Sequence, residues 1–218
     1  MAAIPLPPKK SLDGHCRTQK EFLAQKIGPA LEVAEKREEQ VYFVDASHFV
    51  MGNFLVAVWT VARLFLRGGC GRQRYNVLAA WNAVTNSLIR VTNTTVVSAE
   101  IMCGLLGKIA AAHVGETVRN FLDNARYQHC KAVKAEAARL GILLEFLPAY
   151  SPNLNLIERL WKFVKKDVLY GNQHAGFDAF RKAIDESLDK ISGEHKDRLK
   201  TLMTHKFQTF EKVSFFAA

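Results

Sequence analysis

The chain has 218 residues, of which 49% are hydrophobic and 23% charged, as in an ordinary folded protein with its own core. Its 30 basic and 21 acidic residues give a formal net charge of +9, which favours a phosphate-rich partner. No apolar run is long enough to span a membrane, and the N-terminus lacks the apolar core of a signal peptide. We therefore expect a cytoplasmic protein. Its four cysteines are scattered and form no pair with the spacing of a zinc site, so reduced thiols are expected (Cys16, Cys70, Cys103 and Cys130).

The first forty residues predict a lead-in rather than part of a sheet. Residues 1–17 contain proline and lysine and are expected to be poorly ordered. Residues 18–40 predict a polar helix interrupted near Gly28 and Pro29, and the charge run EKREEQ at its end indicates a solvated face. We interpret residues 1–40 as a linker or helical lead-in.

The first strand signal is the apolar run VYFV at residues 41–44, which predicts a buried strand ending at Asp45. A Gly-rich basic loop is expected at residues 67–74. Further strands are predicted around this loop, at residues 54–61, 75–81 and 88–91.

The second half of the chain predicts alternating helices and strands. Ser98 is placed to cap a helix that runs to about His113. The next strand ends in a second aspartate, Asp123. The remaining elements are strands at residues 117–122 and 142–146 and helices at residues 125–140, 177–191 and around 199–202. Antiparallel strands followed by alternating units predict an α/β fold whose parallel strands bring both aspartates to one edge.

The segment LPAYSPNLNLIERLWKFVKK at residues 147–166 predicts a strand end, a loop and a helix that begins near Glu158. On a helical wheel Glu158 lies between an apolar face and a basic face that contains Lys162 and Lys165. The apolar face consists of Ile157, Leu160, Trp161, Val164 and Val168. This position suits a metal ligand that meets an anionic polymer. A structural role is an open alternative, in which Asn155 caps the helix and Glu158 completes a capping box.

Two aspartates at matching strand ends and a converging glutamate indicate more than local caps. Three neighbouring carboxylates repel one another, and a divalent cation removes that cost. Magnesium accepts oxygen ligands and leaves positions open for water and phosphate. Two such ions could activate a water molecule and stabilise the leaving oxygen of a phosphodiester. His48 and His129 could assist, although metal-assisted transfer needs no histidine base and both are interpreted as ordinary loop and helix residues.

The blocks VDASHF, FLDNARYQH and LPAYSPNLNLIERLWKFVKK resemble the three catalytic blocks of the mariner-like insertion-sequence transposases, which are DDE-type enzymes. The resemblance extends from residue 41 to about residue 210, and 34 residues separate Asp123 from Glu158, as in that superfamily. It implies an α/β, ribonuclease-H-like fold with a mixed five-stranded sheet flanked by helices. The implied organisation is a lead-in at 1–40, a catalytic domain at 41–175 and a C-terminal helical extension at 176–218.

Carried over to this chain, the resemblance implies that Asp45, Asp123 and Glu158 bind Mg²⁺ or Mn²⁺, with two ions expected. The implied activity is DNA strand cleavage at transposon ends followed by strand transfer. The expected partners are transposon-end and target DNA and a second copy of the chain, with localisation at the nucleoid. The candidate DNA contacts are Arg72, Arg74, Lys162, Lys165 and Lys166.

The chain departs from the family pattern at two places that touch no proposed ligand, Ala149 and Leu156, where many relatives have proline. A larger departure is that forty residues are too few for the helix-turn-helix region that recognises transposon ends. We therefore expect that recognition segment to be separate.

Two other functions are consistent with the sequence. One is a ribonuclease or resolvase of the same fold, which would share the metal site and cut without strand transfer. The other is a non-catalytic DNA-binding or assembly protein derived from a transposon.

Overall fold

Five strands and seven α-helices make up the part of the chain that this computed structural model describes, residues 12–51, 73–170, 172 and 174–209. The strands are β1 (Gln40–Val50), β2 (Arg74–Asn82), β3 (Leu88–Asn93), β4 (Val118–Leu122) and β5 (Ile142–Phe146). The helices are α1 (Leu12–Phe22), α2 (Gly28–Glu35), α3 (Ala99–Ala112), α4 (Lys131–Arg139), α5 (Ile157–Val168), α6 (Phe177–Asp189) and α7 (Lys196–Leu202). The predicted strand at residues 54–61 and all but the last two residues of the Gly-rich loop lie outside the described residues.

The strands form one mixed sheet in the order β3-β2-β1-β4-β5. β1 pairs antiparallel with β2, which pairs antiparallel with β3. On its other side β1 pairs parallel with β4, which pairs parallel with β5. The predicted mixed five-stranded sheet is therefore confirmed, with β1 at its centre.

The prediction that the first strand ends at Asp45 is wrong. β1 continues to Val50 because its antiparallel pairing with β2 extends as far as Val50 opposite Arg74. The parallel pairing with β4 stops earlier, at Val44 opposite Leu122. Asp45 is thus the first residue of β1 that lacks a β4 partner. Asp45 therefore lies beside the carboxyl end of β4, near Asp123, as the prediction of a shared site requires.

Two apolar layers cover the sheet, and alternate residues of β1 point into each. Tyr42 and Val44 pack in the layer that contains α3 and α4. Val41 and Phe43 pack in the layer that contains α2, α5 and α6. Since both faces are buried, the strand reads as a continuous apolar run rather than an alternating one.

The N-terminal helix is interrupted by a π-helical turn at Leu23–Ile27, and α2 then continues the chain toward β1. Four residues at helical spacing in the π-helical turn and α2 are buried in the core, namely Ile27, Ala30, Leu31 and Ala34. The expected solvated face is wrong at Glu39, which is buried and forms an ion pair with Arg119 (Oε1 to Nε 2.8 Å). No helix in the described ranges is long and apolar enough to cross a membrane.

The helical segment predicted at residues 18–40 begins earlier, at Leu12, and ends at Glu35, so residues 12–17 are helical rather than poorly ordered. The helix predictions after β3 hold with one correction. Ser98 caps α3, accepting a hydrogen bond from the backbone N–H of Ile101 (3.4 Å). The helix predicted from residue 125 begins only at Lys131 because a turn occupies the residues after Asp123. α6 buries the predicted apolar stripe, which comprises Phe180, Ile184 and Leu188.

Arg159 on α5 secures the chain that follows α7. Its guanidinium donates to the carbonyls of Leu202 (3.1 Å), Thr204 (2.6 Å) and Lys206 (2.6 Å). It also lies over the ring of Phe207. The C-terminal segment is therefore attached to the same helix that carries Glu158.

Candidate metal centre

The pairing of β1 with β4 sets Asp45 and Asp123 on the same face of the sheet. Phe43 pairs with Phe121, and their rings stack with centroids 5.3 Å apart in the layer that contains α5. Each aspartate follows its phenylalanine by two residues, so both are directed toward that layer. The sheet register therefore brings the two aspartates together beneath α5.

Glu158 reaches this face from the first turn of α5. The capping alternative is wrong, because no side chain caps α5, which begins after Leu156. The amide of Asn155 instead donates to the carbonyl of Val44 (Nδ2 to O 3.3 Å). The backbone N–H of Glu158 donates to the backbone carbonyl of Asn155 (3.2 Å), and the Glu158 carboxylate is left for another role.

The three acids influence one another electrostatically. Burial raises the pKa of Asp45 well above its ordinary value, and the negative charges of Glu158 and Asp123 raise it further. Burial also raises the pKa of Asp123. Hydrogen bonds from Gln128 and from the backbone N–H of Ala125 lower this pKa, as does the charge of His129. The pKa of Glu158 is raised by burial and by Asp123, although Lys165 and Lys162 lower it.

A cation that accepts oxygen ligands fits this donor set, because all three side chains are carboxylates. No three histidine, cysteine, aspartate or glutamate side chains in the described ranges converge closely enough to make a preassembled site. Mutual repulsion among Asp45, Asp123 and Glu158 opposes such convergence, and a divalent cation would offset it.

Two aromatic residues at the site were not predicted to belong to it. The indole of Trp161 donates to Asp45 (Nε1 to Oδ2 3.0 Å). Burial raises the pKa of the Tyr127 phenol, and the negative charges of Asp123 and Asp45 raise it further. The helical wheel predicts Trp161 on the apolar face of its helix, and only its N–H donor indicates a second role. Tyr127 lies in a turn that the sequence had suggested was helical.

The two histidines considered as helpers have other partners. His129 interacts with the side-chain oxygen of Asn124 (Nε2 to Oδ1 3.1 Å) and stacks on Phe146 with ring centroids 4.0 Å apart. Asn124 in turn donates to the carbonyl of Leu147 (2.5 Å), which joins the loop after β4 to the loop after β5. His48 on β1 is hydrogen-bonded to Asn76 on β2 (Nδ1 to Oδ1 2.7 Å).

The basic residues predicted to contact DNA divide into two groups. Lys162, Lys165 and Lys166 lie on α5, where Lys162 and Lys166 are exposed and Lys165 places its ammonium 5.9 Å from the ring centre of Phe49. Arg74 is exposed at the start of β2, opposite Val50. Arg72 lies outside the described residues.

Solved structures with the same fold include complexes of the Mos1 mariner transposase. The Mos1 paired end complex with Mn is 14% identical, with a TM-score of 0.61, and the alignment covers 95% of this chain and 67% of that one. The Mos1 strand transfer complex is also 14% identical (TM-score 0.60; 95% and 66% covered). The isolated Mos1 catalytic domain is 12% identical (TM-score 0.55; 94% and 100% covered). The chain thus spans the whole of that catalytic domain and about two thirds of the longer Mos1 chains.

A search among curated proteins finds no sequence match. The sequence profile of the DDE superfamily endonucleases, in contrast, matches residues 40–181. The matched region includes all five strands, α3 to α5 and the three acids. The chain belongs to the DDE superfamily endonuclease family.

Proposed function

We propose that this chain is the catalytic domain of a mariner-like DNA transposase, which cuts strands at transposon ends and joins them to target DNA. The observation that carries the proposal is the position of three acids on neighbouring elements. Asp45 lies on β1, Asp123 directly follows the paired strand β4, and Glu158 lies on α5, which contacts Asp45 through Trp161. Burial raises the pKa of Asp45 and of Glu158, and the charge of a neighbouring acid raises each further, which supports a common site. Membership of the DDE endonuclease family and the fold shared with the Mos1 catalytic domain support the same function.

Asp45, Asp123 and Glu158 would hold Mg²⁺ or Mn²⁺, with two ions bound at full occupancy. Bound there, the ions would polarise the phosphate and lower the pKa of the attacking water. The two aspartates would hold the ions from the side of the sheet, and Glu158 would hold the second ion from α5. Burial raises the pKa of Glu158, and the charges of Lys165 and Lys162 offset part of that rise.

The proposed chemistry consists of two phosphoryl transfers. In cleavage, a water oxygen bonds to phosphorus, the bond from phosphorus to the 3′ oxygen breaks, and that oxygen takes up a proton. In strand transfer, the freed 3′-hydroxyl loses its proton and bonds to a phosphorus of target DNA. The target strand's own 3′ oxygen leaves and is protonated. The number of phosphodiester bonds is unchanged in the second step, so no external energy source is required.

DNA would lie across α5 and the adjacent carboxyl end of β1. Lys162, Lys165 and Lys166 extend from the helix that carries Glu158, and Arg74 begins the strand beside β1. Contacts of these residues, and of Arg72, with phosphate would give sequence-independent affinity. Recognition of the transposon ends is assigned to a separate helix-turn-helix segment.

The working assembly would be a homodimer on DNA, because joining two ends requires two active sites in register. It would act in the cytoplasm, at the nucleoid. Within each chain, residues 41–175 would form the catalytic domain, with residues 1–40 as its lead-in. Residues 176–218 would form the C-terminal helical extension.

Asp45→Asn, Asp123→Asn and Glu158→Gln test the function on supercoiled plasmid DNA with Mg²⁺ or Mn²⁺. Each should reduce strand nicking by at least about 1,000-fold, as expected when a group needed in the transition state is removed. Asp178→Asn is the matched control, because that side chain is 99% exposed on α6.

Joined products separate the three candidate functions. With the end-recognition segment supplied, a DNA substrate that already carries a free 3′ end should yield joined products if the chain is a transposase. Nicking without joined products would favour a nuclease or resolvase. Metal-independent DNA binding without nicking would favour the non-catalytic function.

A further inference from the structure

Trp161 contacts the proposed metal ligand Asp45 directly. Its indole N–H donates to Oδ2 of Asp45 at 3.0 Å, a good hydrogen-bond distance. The indole is 2% exposed, and its ring meets the ring of Phe49 edge-on with centroids 6.3 Å apart. Burial and this ring contact therefore hold the donor in one orientation.

A second buried tryptophan shows that packing alone does not require this hydrogen bond. Trp81 on β2 is 0% exposed and belongs to the same apolar layer as Trp161. Its indole N–H has no hydrogen-bond partner among the described residues. The layer thus accommodates an indole without using its donor, whereas at Trp161 the donor is directed at a carboxylate.

The position of Trp161 on α5 couples it to a second ligand. Trp161 follows Glu158 by three residues, which places the two side chains on neighbouring positions of the same helical turn. α5 therefore both carries Glu158 and fixes the carboxylate of Asp45 on β1. A shift of the helix would move the two groups together.

We propose that Trp161 is a positioning residue, which orients the Asp45 carboxylate so that Oδ1 is presented to the metal while Oδ2 is held by the indole. A carboxylate has about four lone-pair sites, so one hydrogen bond leaves capacity for a cation. Outer-shell partners of this kind fix the orientation of metal ligands. The inference rests on the proposed function, since it takes Asp45 to be a metal ligand.

Trp161→Phe removes the N–H and keeps most of the buried ring, and Trp81→Phe is the matched control. Mn²⁺ binding to the full chain can be followed by the electron paramagnetic resonance signal of free Mn²⁺. Trp161→Phe should weaken Mn²⁺ binding by about 10- to 100-fold, the usual effect of removing an outer-shell partner. Trp81→Phe should bind Mn²⁺ like the wild type. Both variants should keep the wild-type affinity for DNA in EDTA.

Equal Mn²⁺ affinity in Trp161→Phe and the wild type, or an equal loss in the two variants, would overturn the positioning role. Asp45→Asn separates this result from failure of the proposed function. If Asp45→Asn binds Mn²⁺ normally, Asp45 is not a ligand and both proposals fail. If Asp45→Asn loses binding while Trp161→Phe retains it, only the positioning role fails.

A measurement on the folded wild type keeps the proposal testable should Trp161→Phe not fold. The indole N–H resonance of Trp161 in ¹⁵N-labelled protein should shift on Mg²⁺ addition and on Asp45→Ala substitution. The Trp81 resonance should move in neither case. A Trp161 resonance that is unaffected by Asp45→Ala would show that the hydrogen bond does not form.

Discussion

The side chain of Asn155 joins the start of α5 to the centre of the sheet, because its amide donates to the carbonyl of Val44 at 3.3 Å. Val44 immediately precedes Asp45, and Asn155 lies three residues before Glu158. One buried hydrogen bond therefore connects the backbone positions of two proposed ligands on different elements. Side chains that act this way are expected to influence catalysis without touching substrate.

Asn155→Ala should lower the free energy of unfolding by about 1–2 kcal/mol, because it deletes a buried hydrogen bond to the backbone. It should also reduce nicking, since Glu158 is then less firmly placed relative to Asp45. Glu158→Gln should abolish nicking with no loss of stability, because Glu158 caps no helix end. Urea denaturation of both variants checks these expectations. A loss of stability in Glu158→Gln equal to that in Asn155→Ala would restore the capping-box interpretation.

The raised pKa of Asp45 predicts how the stability of the metal-free protein depends on pH. The folded state holds this proton more tightly than the unfolded chain does. The stabilising contribution is therefore complete below the unfolded pKa of about 4 and is lost as pH rises through the higher folded pKa. At pH 7 the buried charge is a cost, and Asp45→Asn should remove it.

Thermal melts in EDTA between pH 5 and pH 8 should show Asp45→Asn to be more stable than the wild type at pH 8. The difference should shrink as pH falls, because the wild-type carboxyl then takes up its proton. Mg²⁺ should stabilise the wild type and leave Asp45→Asn unchanged. Asp178→Asn on the surface should show neither effect. An Asp45→Asn variant that is less stable than the wild type at pH 8 would contradict the burial argument.

The sheet and its acids could be predicted because their signals are local. The apolar run at residues 41–44 can be recognised without knowledge of distant contacts. The same holds for Asp45 and Asp123, each of which directly follows an apolar run. The true end of β1 could not be predicted, because residues 45–50 are held as strand by pairing with β2 rather than by their own composition. The burial of Ile27, Ala30, Leu31 and Ala34 was predictable in principle, since their spacing is helical. The Gly28-Pro29 pair predicted a helix break within this segment, so the apolar spacing was not recognised.

The parts of the site that escaped prediction depend on tertiary contacts. Trp161 had the helical position of a core residue, and only the proximity of β1 shows what its N–H contacts. Tyr127 and the late start of α4 depend on the turn after Asp123, whose composition is also compatible with a helix. Asn155 had a strong capping pattern, which a tertiary hydrogen bond to Val44 displaced.

Lys162 and Lys165 are expected to contribute phosphate contacts. Changing both to glutamine should reduce the slope of log affinity against log salt by about 2 for duplex DNA. Binding should be measured in EDTA, because both lysines also lower the pKa of Glu158 and would affect metal binding. The control is Lys196→Gln with Lys200→Gln on α7, which changes the net charge equally. A similar loss of slope in both double variants would mean that only net charge matters.

Strand transfer at specific ends should require more than the described domain. The helical segment before β1 is engaged in the core through Ile27 and Leu31, so α2 is not free to read DNA as an independent module. We expect the 218-residue chain to be a monomer or weak dimer at micromolar concentration, as sedimentation would show. On DNA that carries both element ends it should nick weakly and without end preference. Adding a helix-turn-helix end-recognition segment, in cis or in trans, should produce paired ends and end-specific joining. Efficient, end-specific joining by the chain alone would show that end recognition lies within these 218 residues.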